Sequence, residues 1–202
     1  MEKYVITIAR QFGSLGRPIA RQMSEILGIE YYDRDIVDAV AAKTGMPRST
    51  VIEADERMHS NFFQMMFPLG QNTTQVKNKV FAVQREIILN LAEKESCIIV
   101  GRCSDYILES KKNHIRIYIY APYEKRLDNC VNELFMDLAE AKRMIREVDK
   151  ARDLYHRHYA GYSPDDVNYK DLMINSSLLG VEGTAQYLAE LVKKRFGQKE
   201  EG

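Results

Sequence analysis

The chain has 202 residues, of which 45% are hydrophobic and 29% are charged, and its 29 basic residues balance its 29 acidic ones. Such values are typical of a soluble globular chain. A net charge of zero argues against a protein that holds nucleic acid by bulk electrostatic attraction, although a local basic patch stays open. No apolar run approaches the ~18 residues of a membrane span, and the N-terminal run is too short for a signal peptide. We therefore expect a cytoplasmic protein with neither a nucleic-acid nor a membrane partner.

Short apolar runs rich in β-branched residues alternate with longer amphipathic stretches. In chain order, the runs predict strands at residues 4–9, 97–100, 115–121 and 172–175, with the shorter run 29–32 as a candidate fifth strand. Helices are predicted at residues 19–27, 35–44, 76–95, 105–111, 124–134, 138–159 and 183–196. This alternation is the pattern of βαβ units, so we predict an α/β fold. Its central parallel sheet has about five strands with helices on both faces, and residues 4–9 lie inside it.

Two segments interrupt the alternation, and we interpret both as excursions from a single domain spanning residues 1–202. Residues 58–72 carry three Met and three Phe without a sustained period. Three interpretations of this insert stay open: part of the core, a subunit contact, or a flap over a bound base. Its apolar content favours a self-association surface and hence a homo-oligomer. Residues 138–169 are charged and helical, which indicates a lid-like region over the carboxyl edge of the sheet.

The cysteines and histidines do not indicate a metal site. The chain has an odd number of cysteines, Cys97, Cys103 and Cys130, and no two of them form a C-x-x-C motif. His156 and His158 are two residues apart, so on a helix they point in different directions. The sequence therefore predicts neither a disulfide framework nor a protein-bound metal.

A glycine-containing loop follows the first predicted strand and precedes a helix. Its members are Gln11, Phe12, Gly13, Ser14, Leu15, Gly16 and Arg17. A strand, a loop and a helix in this order aim backbone N–H groups at a phosphate, and an arginine in the first helical turn can bind phosphate oxygens. The loop departs from G-x-x-x-x-G-K-[ST], because Arg17 replaces the lysine and Pro18 replaces the hydroxyl residue that ligates a metal. An ordinary strand-to-helix turn stays open as the alternative.

Further candidates follow other predicted strands or lie in the lid-like region. They are Asp33, Arg34, Gly101, Arg102, Arg146, Asp149 and Arg152. Each also has a plain structural interpretation, as a helix cap, a solvated turn or the polar face of an amphipathic helix.

The stretches ITIARQFGSLGRPIA, LGIEYYDRDIV, CIIVGRCSDYIL and VDKARDLYHRHY together resemble the cytidylate-kinase-like family of P-loop nucleoside-monophosphate kinases over nearly the whole chain. The resemblance implies a P-loop kinase fold, with ATP and Mg²⁺ as cofactors and a small-molecule nucleotide as partner. It further implies ATP-dependent phosphoryl transfer to a nucleoside monophosphate such as cytidylate, or to a related small phosphate acceptor.

The resemblance also implies roles for individual positions. Residues 11–17 correspond to the triphosphate cradle, and Asp33 with Arg34 to the start of the monophosphate-binding region. The Gly101-Arg102 pair corresponds to residues that hold the acceptor phosphate. In the lid, Asp149 corresponds to a contact with the acceptor nucleoside, and Arg152 to a clamp on the transferring phosphoryl group.

Catalysis on this interpretation depends on positioning and on neutralising phosphate charge. The residues that would supply the charge are Arg17, Arg102, Arg146 and Arg152. No residue is assigned as a metal ligand. Two other classes of function stay open. One is a nucleotide-binding regulatory module with weak or no turnover, which Pro18 favours, and the other is a structural or interaction protein in which the loop is incidental.

Overall fold

The computed structural model describes residues 2–56 and 73–197. The apolar insert at residues 58–72, and with it the predicted self-association surface, lies outside the described residues. Arg34 begins a described helix, but its side chain is also outside what the structure describes.

Five parallel strands form one central sheet. They are β1 (Val5–Arg10), β2 (Glu30–Tyr32), β3 (Cys97–Val100), β4 (His114–Tyr120) and β5 (Leu172–Asn175). Their order across the sheet is β2-β3-β1-β4-β5, and every pairing is parallel. The predicted α/β fold with the first strand inside the sheet is confirmed, and the candidate fifth strand is β2.

Helices connect the strands and cover both faces. They are α1 (Gly16–Leu27), α2 (Arg34–Thr44), α3 (Arg48–Glu56), α4 (Thr73–Lys94), α5 (Ser104–Ile107), α6 (Tyr123–Asn132), α7 (Leu138–Ala160) and α8 (Gly180–Phe196). Two differ from prediction. Helix α3 was not predicted, and α5 is a single turn, shorter than the helix predicted at residues 105–111. Within the described ranges, none of these helices is both long and apolar enough to cross a membrane.

Two apolar clusters hold the layers together. Val37, Val40 and Ile88 of α2 and α4 pack on one face of the sheet, and α1 and α8 pack on the other. All four residues of β3 are buried, as expected for a parallel strand covered on both faces. Burial in β1 is complete over its first four residues and falls off at Ala9 and Arg10. The polar residues of the site therefore begin where the strands reach their carboxyl edge.

Candidate active site

The loop between β1 and α1 is packed against α6. Gly13 has a φ of 77°, and a Cβ at this position would lie 2.7 Å from the Arg126 carbonyl oxygen and 2.9 Å from Cys130 Sγ. Only glycine therefore fits there. Leu15 also has a positive φ, 56°, which costs an L residue about 1 kcal/mol or more, so the surrounding contacts must hold the loop in this shape.

Hydrogen bonds from three elements fix the loop. Asn129 of α6 donates to the Gly13 carbonyl oxygen at 2.8 Å, and Ser176, after β5, donates to the Ser14 carbonyl oxygen at 2.8 Å. The Ser14 hydroxyl lies 2.9 Å from the Gln11 carbonyl oxygen and is fully buried. The loop is thus a preorganised part of the fold.

The residues present do not fit a protein-held Mg²⁺. Pro18 has no hydroxyl, and the Ser14 hydroxyl is turned toward main-chain carbonyl oxygens. In the part of the chain that the structure describes, no three His, Cys, Asp or Glu side chains are grouped so that they could hold a metal ion. A Mg²⁺ that arrives with a nucleotide would depend on the phosphates for its ligands.

The lid helix α7 contacts the loop through Asp149. One carboxylate oxygen of Asp149 accepts the backbone N–H of Phe12 at 2.7 Å, and the other forms a short ion pair with Arg126 of α6. Arg126 also donates to the Phe12 carbonyl oxygen at 3.3 Å. Asp149, which the sequence assigns to the acceptor nucleoside, is therefore placed on the phosphate loop.

Three arginines surround Asp33, which is only 4% exposed at the end of β2. Arg17 Nε lies 2.5 Å from one carboxylate oxygen, and Arg10 Nη2 lies 3.8 Å from the other. Arg102 Nε donates to the Asp33 carbonyl oxygen at 3.2 Å. Burial lowers the pKa of Arg102 to about 10, partly offset by Asp33, so this guanidinium stays charged at neutral pH. Asp33 therefore holds arginines and does not face an open metal site.

Arg10 was not predicted as a site residue. It ends β1, its side chain is 9% exposed, and it stands between two glycines of the predicted site. A Cβ at Gly101 would lie 2.2 Å from Arg10 Nη1, and a Cβ at Gly16 would lie 2.9 Å from Arg10 Cβ. Gly101 makes room for the guanidinium, and Gly16 makes room for the first carbons of the same side chain.

Two cavities lie side by side at the carboxyl edge. The first, of about 60 Å³, lies among the ends of β1 and β3, α5 and α7, and the second, of about 340 Å³, lies between the loop and α7. Arg102 lines the first cavity and Asp149 the second, whereas Arg10 and Arg152 line both. Arg152 also donates to the Arg10 carbonyl oxygen at 3.1 Å, which joins the lid to the sheet at this boundary.

The remaining predicted cations lie elsewhere. Arg17 lines neither cavity and borders an open groove of about 640 Å³ together with Asp33 and Asp35. Arg146 is exposed on α7 and also lines neither cavity. Of the four arginines proposed for catalysis, the structure thus brings Arg102 and Arg152 to one cavity.

A buried charged network closes the far side of the first cavity. Asp105 of α5 contacts His156 Nε2 at 3.0 Å and Lys170 Nζ at 2.5 Å, and Lys170 is 1% exposed. Burial alone would raise the pKa of Asp105, but the hydrogen bonds and charges of His156 and Lys170 outweigh it and hold this pKa well below its usual range. His156 Nδ1 lies 2.9 Å from the Tyr162 carbonyl oxygen, so both ring nitrogens of this side chain have a hydrogen-bond partner. The sequence analysis did not predict this network, because its three residues come from separate segments of the chain.

The parallel order β2-β3-β1-β4-β5, with a glycine loop after the central strand and a helical lid, defines a P-loop kinase fold. An uncharacterized protein from Eubacterium ventriosum has a similar structure, with a TM-score of 0.69, 23% identity, and coverage of 98% of this chain and 100% of that one. Shikimate kinase from Acinetobacter baumannii, solved with shikimate, has a TM-score of 0.56 at 16% identity and covers 97% and 96% of the two chains.

The sequence gives the family directly. Residues 5–178 match the cytidylate kinase-like family, and the chain belongs to that family. A cytidylate kinase from Methanopyrus kandleri is 23% identical over 182 residues, which cover 86% of this chain and 84% of the relative.

Proposed function

We propose that the protein is an ATP-dependent phosphotransferase that acts on a nucleoside monophosphate, cytidylate being the first to test, or on a related small phosphate acceptor. The observation that carries the proposal is the convergence of Arg10, Arg102 and Arg152 on one small cavity at the carboxyl ends of β1 and β3. Membership of the cytidylate kinase-like family supports the same reaction.

On this proposal the first cavity takes the acceptor phosphate, because its volume suits a group of that size and arginines line its wall. The second cavity, which Gln11 of the loop lines together with Arg10 and Arg152, takes the donor phosphates. Arg152, which lines both, then lies next to the phosphoryl group as it moves between them.

The proposed reaction needs no general base, since an acceptor phosphate is already an anionic nucleophile. The protein's contribution is to align the two phosphates and to neutralise charge on the transferring group. Loss of one well-placed arginine is expected to remove about 3 kcal/mol of transition-state stabilisation. ATP would bring Mg²⁺ with it, and no step is assigned to a protein-held metal.

The test is an ADP-release assay with ATP, Mg²⁺ and a panel of nucleoside monophosphates, with the matching nucleosides as controls. We expect release that depends on a monophosphate and is absent with its nucleoside. Arg152→Met should reduce kcat by about a hundredfold or more while the protein stays folded. Thermal stabilisation by ATP without turnover on any acceptor would instead support a nucleotide-binding regulatory module.

A further inference from the structure

We infer that Arg10 binds the acceptor phosphate directly, and that Gly16, Gly101 and Asp33 act through it as positioning residues. This inference rests on the proposed function and adds a residue to its acceptor site. It assigns to Gly16 a task other than cradling the donor triphosphate, and to Gly101 a task other than contacting the acceptor phosphate itself.

The first step of the argument is the space around Arg10. A buried arginine side chain at the end of a central strand needs room that β-carbons on its neighbours would fill. At Gly101 a Cβ would overlap the guanidinium, at 2.2 Å from Nη1, and at Gly16 it would crowd the first side-chain carbons, at 2.9 Å and 3.1 Å. Gly101 also has a φ of 75°, which other residues rarely adopt. The fold thus keeps a channel for this one side chain.

The second step is charge. Asp33 is an acidic neighbour of the arginine cluster, and its carboxylate lies 2.5 Å from Arg17 and 3.8 Å from Arg10. Arg102 approaches the Asp33 main-chain oxygen and not the carboxylate. Arg10, Arg102 and Arg152 all line the first cavity. A phosphate is the ligand that converging guanidinium groups bind by paired hydrogen bonds.

The third step is orientation. The Arg10 backbone carbonyl holds Arg152 of the lid at 3.1 Å, and Arg10 lines both cavities. The side chain reaches Gly101 and Asp33 on the acceptor side. Side-chain substitutions at position 10 leave the backbone contact with Arg152 in place, so they isolate the guanidinium.

The test compares Arg10→Met, Arg10→Lys and the control Arg21→Met, which removes an arginine that is 77% exposed on α1 and lines neither cavity. We expect Arg10→Met to raise the KM for the acceptor by about ten- to a hundredfold and to leave the KM for ATP unchanged. Arg10→Lys should restore part of the loss, because the charge returns without the planar fork. Arg21→Met should match the wild type.

A double-mutant cycle tests the role of Gly101. Gly101→Ala should raise the acceptor KM in the wild-type background, where the new Cβ displaces Arg10, and should add nothing in the Arg10→Met background. Backbone strain from the positive φ lowers stability equally in both backgrounds, so only the acceptor KM discriminates. An equal rise in both would overturn the positioning role.

Failure of this inference and failure of the proposed function give different results. If the wild type turns over an acceptor and Arg10→Met has the same acceptor KM and kcat, the inference is wrong and the function stands. If the wild type turns over no acceptor, the function is wrong. Calorimetric titration of inorganic phosphate then decides the inference. Binding by the wild type that Arg10→Met lacks supports it, while equal binding, or none by the wild type, overturns it.

Discussion

The Asp149 carboxylate accepts the Phe12 backbone N–H at 2.7 Å, so the lid helix places a negative charge on the loop that is proposed to bind ATP phosphates. A carboxylate and a phosphate compete for the same donor. The second oxygen of Asp149 pairs with Arg126, which ties the lid, the loop and α6 together.

We predict that Asp149→Asn tightens ATP binding about fivefold, because the amide oxygen still accepts the Phe12 N–H while the repelling charge, worth about 1 kcal/mol, is removed. Calorimetric titration of ATP measures the change. Glu147→Gln, on the exposed side of α7 and paired with Arg143, is the control and should not alter affinity. Weaker binding in Asp149→Asn would show that the loop depends on this carboxylate for its shape.

We predict that the Arg17 side chain, which lines neither cavity, turns from Asp33 to the bound phosphates. Arg17→Ala should then weaken ATP binding about tenfold, roughly the worth of one charge-assisted contact. Arg17 stands in the first turn of α1, where its charge adds to the positive end of the helix, and Arg17→Lys should restore part of the affinity. The measurement is calorimetry of ATP against both variants, with circular dichroism to show that they fold. Wild-type affinity in Arg17→Ala would mean that the ion pair with Asp33 is the whole role of this residue.

The contact between the loop and α6 predicts a large effect of Gly13→Ala. Its Cβ would lie 2.7 Å from a main-chain oxygen in addition to the strain of a positive φ, so a loss of about 3 kcal/mol of unfolding free energy is expected. Gly45→Ala is the matched control. Gly45 has a φ of 68° but no atom within 4 Å of its Cβ, so that variant should show the strain alone, about 1 kcal/mol. Urea unfolding of both separates packing from strain, and equal losses would contradict the tight contact.

The Asp105 network predicts a stability that depends on pH. The pKa of Asp105 is lower in the folded protein than its unfolded value near 3.9, so its contribution is present above that pH and is lost as the pH falls toward the folded pKa. Asp105→Asn should lower the free energy of unfolding at pH 7 by about 3 kcal/mol, because it leaves His156 and Lys170 without their carboxylate. Urea unfolding at pH 7 and pH 3 should show a smaller pH effect in the variant than in the wild type. The same pH effect in both would place the acid-sensitive group elsewhere.

Sequence patterns were sufficient for the sheet and for part of the site. A β-branched run marks a buried strand whatever surrounds it, and strand ends in a parallel sheet meet at one edge, which located Arg102. The same rule places Arg10 at this edge, but the packing of its side chain against Gly101 on the neighbouring strand could not be predicted from the sequence. The network of Asp105, His156 and Lys170 was missed for the same reason.

Val5 pairs with Cys97 on one side of β1 and with His114 on the other. The central strand therefore gains its neighbours only after the chain has closed loops of about a hundred residues. Closing such loops costs conformational entropy, which slows the pairing of this strand during folding. Arg10 and the glycine loop lie at the end of that strand, so neighbouring strands support them only when both pairings have formed. A nascent chain that has emerged only as far as α4 therefore carries the loop sequence without the strand pairings that hold the proposed phosphate site in shape.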